Sequence, residues 1–176
     1  MVIPAYNEEQ SLPGVLAALR DAGWQDVLVV DDGSKDRTSR VAAAAGVKVA
    51  RLPFNLGVGG AMRTGFRYAV RAGYSRTVQF DADGQHQVAD IAGLLRELDE
   101  GADLVIGSRF ATEERTYQMG RVRGGAAGLL RRMLGLLAGQ QFSDTSSGFR
   151  AYSRPLMEDF AAAFPLEYLS DTVESL

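Results

Sequence analysis

Two carboxylates, Asp81 and Asp83, stand one residue apart at the end of an apolar, β-prone run. Alternate residues of a strand face the same side, so both side chains point the same way if the extended geometry lasts that far. Two neighbouring carboxylates repel each other unless a cation joins them. Mg²⁺ binds one or two carboxylates together with water and substrate phosphates, and Gln85 adds a neutral oxygen. This spacing favours a metal–diphosphate site, although an acidic turn before a helix would contain the same residues.

Apolar runs and helical periodicity alternate along the first hundred residues. An unbroken apolar run such as Val27–Val30 indicates a strand buried on both faces, as in a parallel sheet covered by helices. The alternation continues to about residue 107 and predicts a doubly wound α/β sheet that is mostly parallel. Strands are expected at 1–3, 27–30, 47–52, 76–80, 104–106 and 149–152, three helices should end at Gly23, Gly46 and Gly73, and further helical faces lie at 88–98 and 155–163.

Polar residues recur where these predicted strands end. Tyr6-Asn7-Glu8 follow the first strand, Asp31 and Asp32 the second, the carboxylate pair the fourth and Arg109 the fifth. Ligands of doubly wound sheets bind at the carboxyl ends of the strands. A purely structural domain has no need of this coincidence, so the order of the residues indicates a ligand site along one edge of the sheet.

The segment 109–132 differs in charge from the rest of the chain. It holds six arginines against two glutamates, a local charge of +4, whereas the whole chain carries −3. A basic segment beside apolar residues is typical of contact with an anionic membrane surface, but a core-packing helix with solvated arginines would show the same pattern. Arg109 and Arg123 fall in expected loops near the site, where a guanidinium binds phosphate through two hydrogen bonds.

The composition excludes several other classes of protein. With 176 residues, of which 46% are hydrophobic, the chain is expected to form one domain, and its net charge gives no general attraction to nucleic acid. It has no cysteine and a single histidine, which excludes disulfides, disfavours zinc and fits a cytoplasmic location. The glycine-rich stretch 57–62 has Met62 where a dinucleotide fingerprint requires its third glycine. The chain begins within a strand and stops without a closing element, so we expect the domain at 1–176 to be truncated at both ends.

Six short motifs stand in order along the chain. They are Pro4-Ala5-Tyr6-Asn7-Glu8, Val29-Val30-Asp31-Asp32-Gly33-Ser34, Asn55-Leu56-Gly57-Val58-Gly59, Asp81-Ala82-Asp83-Gly84-Gln85-His86, Gly107-Ser108-Arg109 and Thr145-Ser146-Ser147-Gly148-Phe149-Arg150. In this order and spacing they resemble the family 2 glycosyltransferases of the GT-A fold, and most closely the dolichyl- and polyprenyl-phosphate mannose or glucose synthases. The resemblance covers essentially the whole chain and implies a Rossmann-like α/β/α sandwich.

The resemblance implies a role for the residues of the first four motifs. Pro4, Tyr6 and Glu8 would line the pocket for the base and ribose of a nucleotide. Asp32 would contact the base or the ribose. The carboxylate pair and Gln85 would hold Mg²⁺ or Mn²⁺ on the diphosphate of a sugar nucleotide.

The resemblance also implies which residues would handle the transfer. Asp83, Arg109 and Asp144 are the candidate catalytic residues, with Asp144 contacting the sugar or the acceptor. Arg109 and Arg123 would contact the phosphate of the donor or the acceptor, and Asp81 would bind the donor through the metal.

These roles predict an inverting transferase that moves a hexose from a UDP- or GDP-linked sugar to a polyprenyl or dolichyl phosphate. The metal would neutralise charge on the leaving nucleotide, and the anionic acceptor would need arginines more than a general base. The expected partners are the nucleotide sugar, the lipid phosphate and, through 109–132, the cytoplasmic membrane face, without nucleic acid. Transfer to a glycan or protein hydroxyl, or a non-catalytic nucleotide-binding module, are the alternatives.

Overall fold

The computed structural model describes residues 1–107, 120–122 and 148–163. Between residues 1 and 107 the strands and helices alternate as the sequence predicts, whereas the strand at 120–122 was not predicted. The strands are β1 (Val2–Ala5), β2 (Leu28–Asp31), β3 (Lys48–Arg51), β4 (Arg76–Gln79), β5 (Leu104–Ile106), β6 (Gly120–Val122) and β7 (Arg150–Ser153). The helices are α1 (Leu12–Asp21), α2 (Thr38–Ala44), α3 (Gly57–Arg71), α4 (Ile91–Asp99) and α5 (Arg154–Ala163).

The strands form one sheet in the order β3-β2-β1-β4-β7-β5-β6. The pairs β1–β2, β2–β3 and β1–β4 are parallel. β7 is antiparallel to both of its neighbours, β4 and β5, and β6 is antiparallel to β5. β1 to β5 therefore run in one direction, which confirms the mostly parallel sheet, while β6 and β7 run against it.

Helices cover both faces of the sheet, which makes the predicted three-layer α/β/α sandwich. One core lies under α1, α2 and α4, and the other lies under α3 and α5. β1 supplies both cores because its side chains alternate, with Ile3 and Ala5 in the first and Val2 in the second. The largest fully buried side chains of the two cores are Ile3, Leu12, Leu19, Phe80, Ile91, Leu94 and Phe149 on one face, and Met62, Phe66, Tyr152, Leu156 and Met157 on the other.

Several predicted strand ends are shifted by one residue, and two predicted boundaries were further from the structure. Pro4 and Ala5 were expected in a loop but belong to β1. The Val2 carbonyl accepts a hydrogen bond from Phe80 on the β4 side, so Pro4 faces that side too, beyond the last β1–β4 pair, and its missing N–H costs no ladder bond. The helical face expected from Val88 starts as a 3₁₀ turn, Val88–Asp90, and becomes helical only at Ile91.

The first three helices end near the glycines that the sequence predicted to end them. Gly23, Gly46 and Gly73 each come directly after the alanine cap residue of the helix that they were predicted to end, and their φ angles are +86°, +78° and +81°. A left-handed residue at this point is a common way to end a helix, and glycine adopts it without a steric penalty.

A prediction for stability comes from two helical glycines with different surroundings. A Cβ at Gly65 of α3 would overlap the Val2 side chain, which is branched and buried in β1, whereas a Cβ at Gly14 of α1 would meet no atom within 4 Å. We expect the overlap in Gly65→Ala to lower the free energy of unfolding by about 1–3 kcal/mol, an effect that the higher helix propensity of alanine offsets in part. Gly14→Ala should instead raise it by up to about 1 kcal/mol because alanine favours the helix.

Urea denaturation of the two variants and the wild type measures both changes. Equal effects of the two substitutions would contradict the close packing of α3 on β1.

Candidate active site at the carboxyl edge of the sheet

A cavity of about 230 Å³ lies at the carboxyl ends of β1 and β4, beside the first turns of α3. It brings together six of the residues that the sequence analysis selected. Five of these are carboxylates or an aromatic, so the wall can both stack on and hydrogen-bond to a ligand. The lining residues are Pro4, Ala5, Tyr6, Glu8, Asp32, Val58, Ala61, Asp81, Ala82 and Asp83.

The loop after β1 is held by the loop after β2. Asn7 has a φ of +58°, a left-handed conformation in which asparagine is one of the few tolerated residues. Its backbone N–H donates to the Ser34 hydroxyl at 2.9 Å, and its side-chain oxygen accepts from the Lys35 N–H at 2.9 Å. The hydrogen bonds offset the cost of the conformation and fix the residues on either side of Asn7, which are Tyr6 and Glu8.

Glu8 is anchored through both its backbone and its side chain. Its N–H donates to the Thr38 hydroxyl at 2.8 Å, at the first residue of α2. Its carboxylate accepts a short hydrogen bond from the Ser11 hydroxyl. Glu8 thus lines the cavity in a defined position, and both partners in these contacts are neutral hydroxyl groups.

Glu9 and Asp36 complete the cross-links between the two loops. The Arg37 backbone N–H and then its guanidinium donate to Glu9, at 2.9 and 3.1 Å, and these bonds hold the pKa of that carboxyl below its usual value. Burial tends to raise the pKa of Asp36, but hydrogen bonds from Thr38 and from the Glu9 N–H outweigh it and lower that pKa. Both carboxylates therefore stabilise the loops in their charged form.

The neighbouring carboxylates Asp31 and Asp32 have different surroundings. Asp31 is only 1% exposed, and it accepts hydrogen bonds from the Ser34 N–H at 2.8 Å and from the Ser39 hydroxyl. It therefore builds the loop after β2. Asp32 accepts from the Leu56 N–H at 2.8 Å, at the start of α3, and lines the cavity.

Gly33 lets two loops approach each other closely. It has a φ of +73°, and a Cβ there would stand 2.6 Å from the carbonyl carbon of Phe54. No other residue type fits this position, because the backbone conformation and the space both exclude a side chain. The approach brings the start of α3 to the cavity.

The carboxylate pair lies on the β4 side of the cavity. The Asp81 side chain is 25% exposed, and its Oδ2 is 3.3 Å from Nε2 of His86. Asp83 is exposed and accepts from the Gln85 N–H at 2.9 Å, which tightens the turn through Gly84. Both carboxylates line the cavity, whereas the exposed Gln85 is not among its lining residues.

No three His, Cys, Asp or Glu side chains in the described part of the chain are grouped to hold a metal ion. The predicted set of two carboxylates and one amide is smaller than such a group. It leaves most of the coordination of a Mg²⁺ or Mn²⁺ ion to water and to phosphate oxygens, as is usual for Mg²⁺ in proteins.

Three predicted residues, Arg109, Arg123 and Asp144, lie outside the described residues, and so does nearly all of the basic segment 109–132. Their roles stay predictions. Among the described residues, no helix is long and apolar enough to cross a membrane.

The sequence analysis did not select the contribution of α3 to the cavity. Val58 and Ala61 line it because the Asp32–Leu56 hydrogen bond draws the beginning of α3 towards the end of β1. The signal was the glycine-rich start of the helix, where a Cβ at Gly60 would overlap the Leu56 side chain. Gly148 was also missed as a neighbour of Asp81, although it stands in one of the six motifs.

Residues 1–160 match the family model described as glycosyl transferase family 2. The chain therefore belongs to this family of glycosyltransferases, and the resemblance found in its motifs is confirmed. It is 36% identical over 168 residues to polyprenol monophosphomannose synthase of Mycolicibacterium smegmatis, covering 90% of this chain and 62% of that one. It is 42% identical over 161 residues to undecaprenyl-phosphate mannosyltransferase of Micrococcus luteus, covering 86% and 64%. The chain thus spans less than two thirds of these relatives.

Solved structures of glucosyl-3-phosphoglycerate synthase from M. tuberculosis share the fold. One is 27% identical with a TM-score of 0.59 and covers 87% of this chain and 56% of that one. Another, a complex with Mn²⁺ and UDP-glucose, is 25% identical with a TM-score of 0.57 over the same share of this chain and 55% of its own. The GT-A-like α/β architecture is thereby confirmed.

The Glu9–Arg37 contact predicts a pH dependence of stability. Since folding lowers the pKa of Glu9 from 4.5, its contribution is present above pH 4.5 and is lost as the pH falls through the folded value. Glu9→Gln removes the charge but keeps the shape. We expect the variant to be less stable than the wild type at pH 7, with the difference shrinking below pH 4.5.

Urea denaturation at pH 7 and pH 3 measures the two differences. Arg37→Gln removes the guanidinium partner but leaves the Arg37 backbone N–H, which still binds Glu9. The difference in the free energy of unfolding between this variant and the wild type should therefore shrink less from pH 7 to pH 3 than it does for Glu9→Gln. A constant difference at both pH values would contradict the charged hydrogen bond.

Proposed function

We propose that this protein is an inverting glycosyltransferase that moves a hexose from a UDP- or GDP-linked sugar to a polyprenyl or dolichyl phosphate, with a divalent metal. The observation that carries the proposal is the shared cavity of Tyr6, Asp32, Asp81 and Asp83. It combines an aromatic surface and a hydrogen-bond acceptor for a nucleoside with two carboxylates for a cation. This combination is suited to a nucleoside diphosphate held through a metal.

The nucleoside would lie between β1, β2 and α3. Tyr6 is 40% exposed and offers a ring face, while Asp32 is 3% exposed and offers a fixed carboxylate. Such an acceptor suits the N–H groups of a nucleobase or the hydroxyls of a ribose. The complexes of glucosyl-3-phosphoglycerate synthase with UDP-glucose support this assignment, since that enzyme shares the fold of the chain.

The divalent metal, Mg²⁺ or Mn²⁺, would be held by Asp81 and Asp83, with Gln85 as a neutral ligand. Two carboxylates at one cavity suit a hard cation that takes its other ligands from phosphate and water. When bound, such an ion would neutralise charge on the leaving diphosphate. The Mn²⁺ in the relative's complex with UDP-glucose supports the use of a metal.

The acceptor would be an anionic lipid phosphate. The names of the relatives from Mycolicibacterium smegmatis and Micrococcus luteus support a polyprenyl carrier. A phosphate oxygen is already a nucleophile, so Arg109 and Arg123 would orient it, and Asp144 would contact the sugar or the acceptor. Attack in one step breaks the bond between the anomeric carbon and the diphosphate and inverts the anomeric carbon.

A second candidate is transfer to a hydroxyl of a small phosphorylated acid. The complex of the M. tuberculosis enzyme with phosphoglyceric acid, at 25% identity to this chain, favours it. The two candidates share the donor site and differ in the acceptor.

We further propose that 1–176 belong to one catalytic domain, which works in the cytoplasm and touches the membrane face through 109–132.

Calorimetric titration of UDP and GDP, each with and without Mn²⁺, tests the donor site. We expect the protein to bind one nucleotide only when Mn²⁺ is present, and EDTA to abolish the binding. Asp83→Ala and Asp81→Ala should each weaken the Mn²⁺-dependent affinity by more than about 100-fold, because removing a ligand exceeds the effect of removing an outer partner. Asp21→Ala, a loss of a 76% exposed carboxylate in α1, is the matched control and should bind as the wild type does.

Equal nucleotide affinity with and without Mn²⁺ would refute the metal site. The acceptor is then chosen by incubating the protein with the sugar form of the bound nucleotide and either a short-chain polyprenyl phosphate or 3-phosphoglycerate. Transfer to the lipid phosphate alone supports the proposal, and transfer to the acid alone supports the second candidate.

A further inference from the structure

The single histidine of the chain, His86, has no role in the site as proposed so far. We propose that it is a positioning residue, which fixes the carboxylate of Asp81 in the orientation that binds the metal. Its ring in turn is held by Phe80 and Phe149. The inference rests on the proposed function, since it assumes that Asp81 is a metal ligand.

The contact between His86 and Asp81 is almost closed to solvent on the histidine side. The His86 side chain is 4% exposed, and its Nε2 lies 3.3 Å from Oδ2 of Asp81. In the tautomer with a proton on Nε2, the ring donates a hydrogen bond to the carboxylate. Water competes poorly for a donor that is this buried, so the bond restrains the carboxylate more than a surface contact would.

The ring of His86 cannot turn away easily, because two aromatic side chains hold it. It stacks on Phe149 with the ring planes 23° apart and the centroids 5.1 Å apart. It meets Phe80 edge to face at 5.9 Å, and Phe80 meets Phe149 in the same way at 5.5 Å. All three rings therefore contact one another, and both phenylalanines are at least 98% buried.

The Asp81 carboxylate also lies against Gly148. A Cβ built on Gly148 would overlap both carboxylate oxygens, so a larger residue there would displace the carboxylate from this position. The dipeptide Gly148-Phe149 thus does two things. It leaves room for the carboxylate of Asp81, and it supplies the surface on which His86 stacks.

These contacts explain how one carboxylate of the pair is prepared for its ligand. The Asp81 side chain has two rotatable bonds, and holding them before binding removes an ordering cost that metal binding would otherwise include. A hydrogen-bonded partner of a ligating carboxylate typically changes metal affinity by about 10- to 100-fold. We expect an effect of this size from the hydrogen bond of His86.

His86 could have a different role, which is to fill the space beside the two phenylalanines without orienting Asp81. The two roles are separated by variants that keep one property and lose the other. His86→Phe keeps a ring of similar shape but has no donor. In His86→Gln the amide nitrogen reaches the place of Nε2 without a ring, and in His86→Asn the shorter amide nitrogen reaches only the place of Nδ1.

Mn²⁺ binding to the whole protein, in the presence of the nucleotide that it binds, is measured by electron paramagnetic resonance of the free ion. Positioning predicts about 10- to 100-fold weaker Mn²⁺ binding for His86→Phe, with His86→Gln closer to the wild type than His86→Phe. Space filling predicts the reverse order of these two variants. Urea denaturation of each variant shows whether it is folded.

The pair His86→Gln and His86→Asn keeps the test decisive if His86→Phe does not fold. Both lose the ring, so a tighter Mn²⁺ affinity of the glutamine variant supports the hydrogen bond, and equal affinities overturn it. Wild-type protein that binds no Mn²⁺ with either nucleotide would overturn the proposed function itself. Wild-type binding with an unchanged His86→Phe variant would overturn only the role of His86.

Discussion

The antiparallel insertion of β7 between β4 and β5 decides which residues meet at the carboxyl edge of the sheet. A strand that runs against its neighbours begins at the edge where they end. Since Arg150 pairs with Gln79, the two residues before it, Gly148 and Phe149, arrive beside the residues that follow β4. The contacts of Asp81 with Gly148, and of His86 with Phe149, depend on this register. A shift by one residue would turn the phenylalanine to the other face of the sheet.

The opposite part of the cavity depends on hydrogen bonds between side chains and backbone rather than on packing. The loops after β1 and β2 are too short and polar to bury a core of their own. Asn7, Ser34 and Thr38 supply side-chain partners for backbone groups of the other loop. Each such bond contributes only about 1 kcal/mol, but breaking one would leave a partly buried N–H without a partner. The wall formed by Tyr6, Glu8 and Asp32 is therefore in place before any ligand binds.

Features of the fold that depend on neighbouring residues could be predicted from the sequence, and features that depend on residues far apart in the chain could not. The alternation of strands and helices up to β5 and the polar edge are local features, because an apolar run that ends in Asp31-Asp32 or at Asp81 is visible in a few residues. The position of β7 is not visible in this way. The four residues of a strand show neither its direction nor its neighbours. The contact between His86 and Phe149 could therefore not be predicted without the strand order of the folded sheet.

The same distinction applies within the candidate site. The spacing of Asp81 and Asp83 was sufficient to expect both at one cavity, and both line it. Asp81 and Asp83 themselves follow the end of β4 at Gln79, and Gln85 lies beyond a further turn at Gly84, whose φ is +74°. The inward direction of alternate residues does not extend past such a turn, so the side chain of Gln85 could not be placed by counting.

The relatives separate the two halves of the proposed reaction. Enzymes named for polyprenyl-phosphate acceptors and one named for phosphoglycerate all match most of this chain. These relatives differ in the acceptor in their names, although they match the same large part of this chain. The described residues form the cavity that we propose for the donor, at the ends of β1 and β2 and the start of α3, beside the carboxylate pair after β4. His86 and Gly148 act on the carboxylate pair, so their effect should be the same whichever acceptor is used. The proposed donor site can therefore be tested by a binding assay, whereas the proposed acceptor requires a transfer assay.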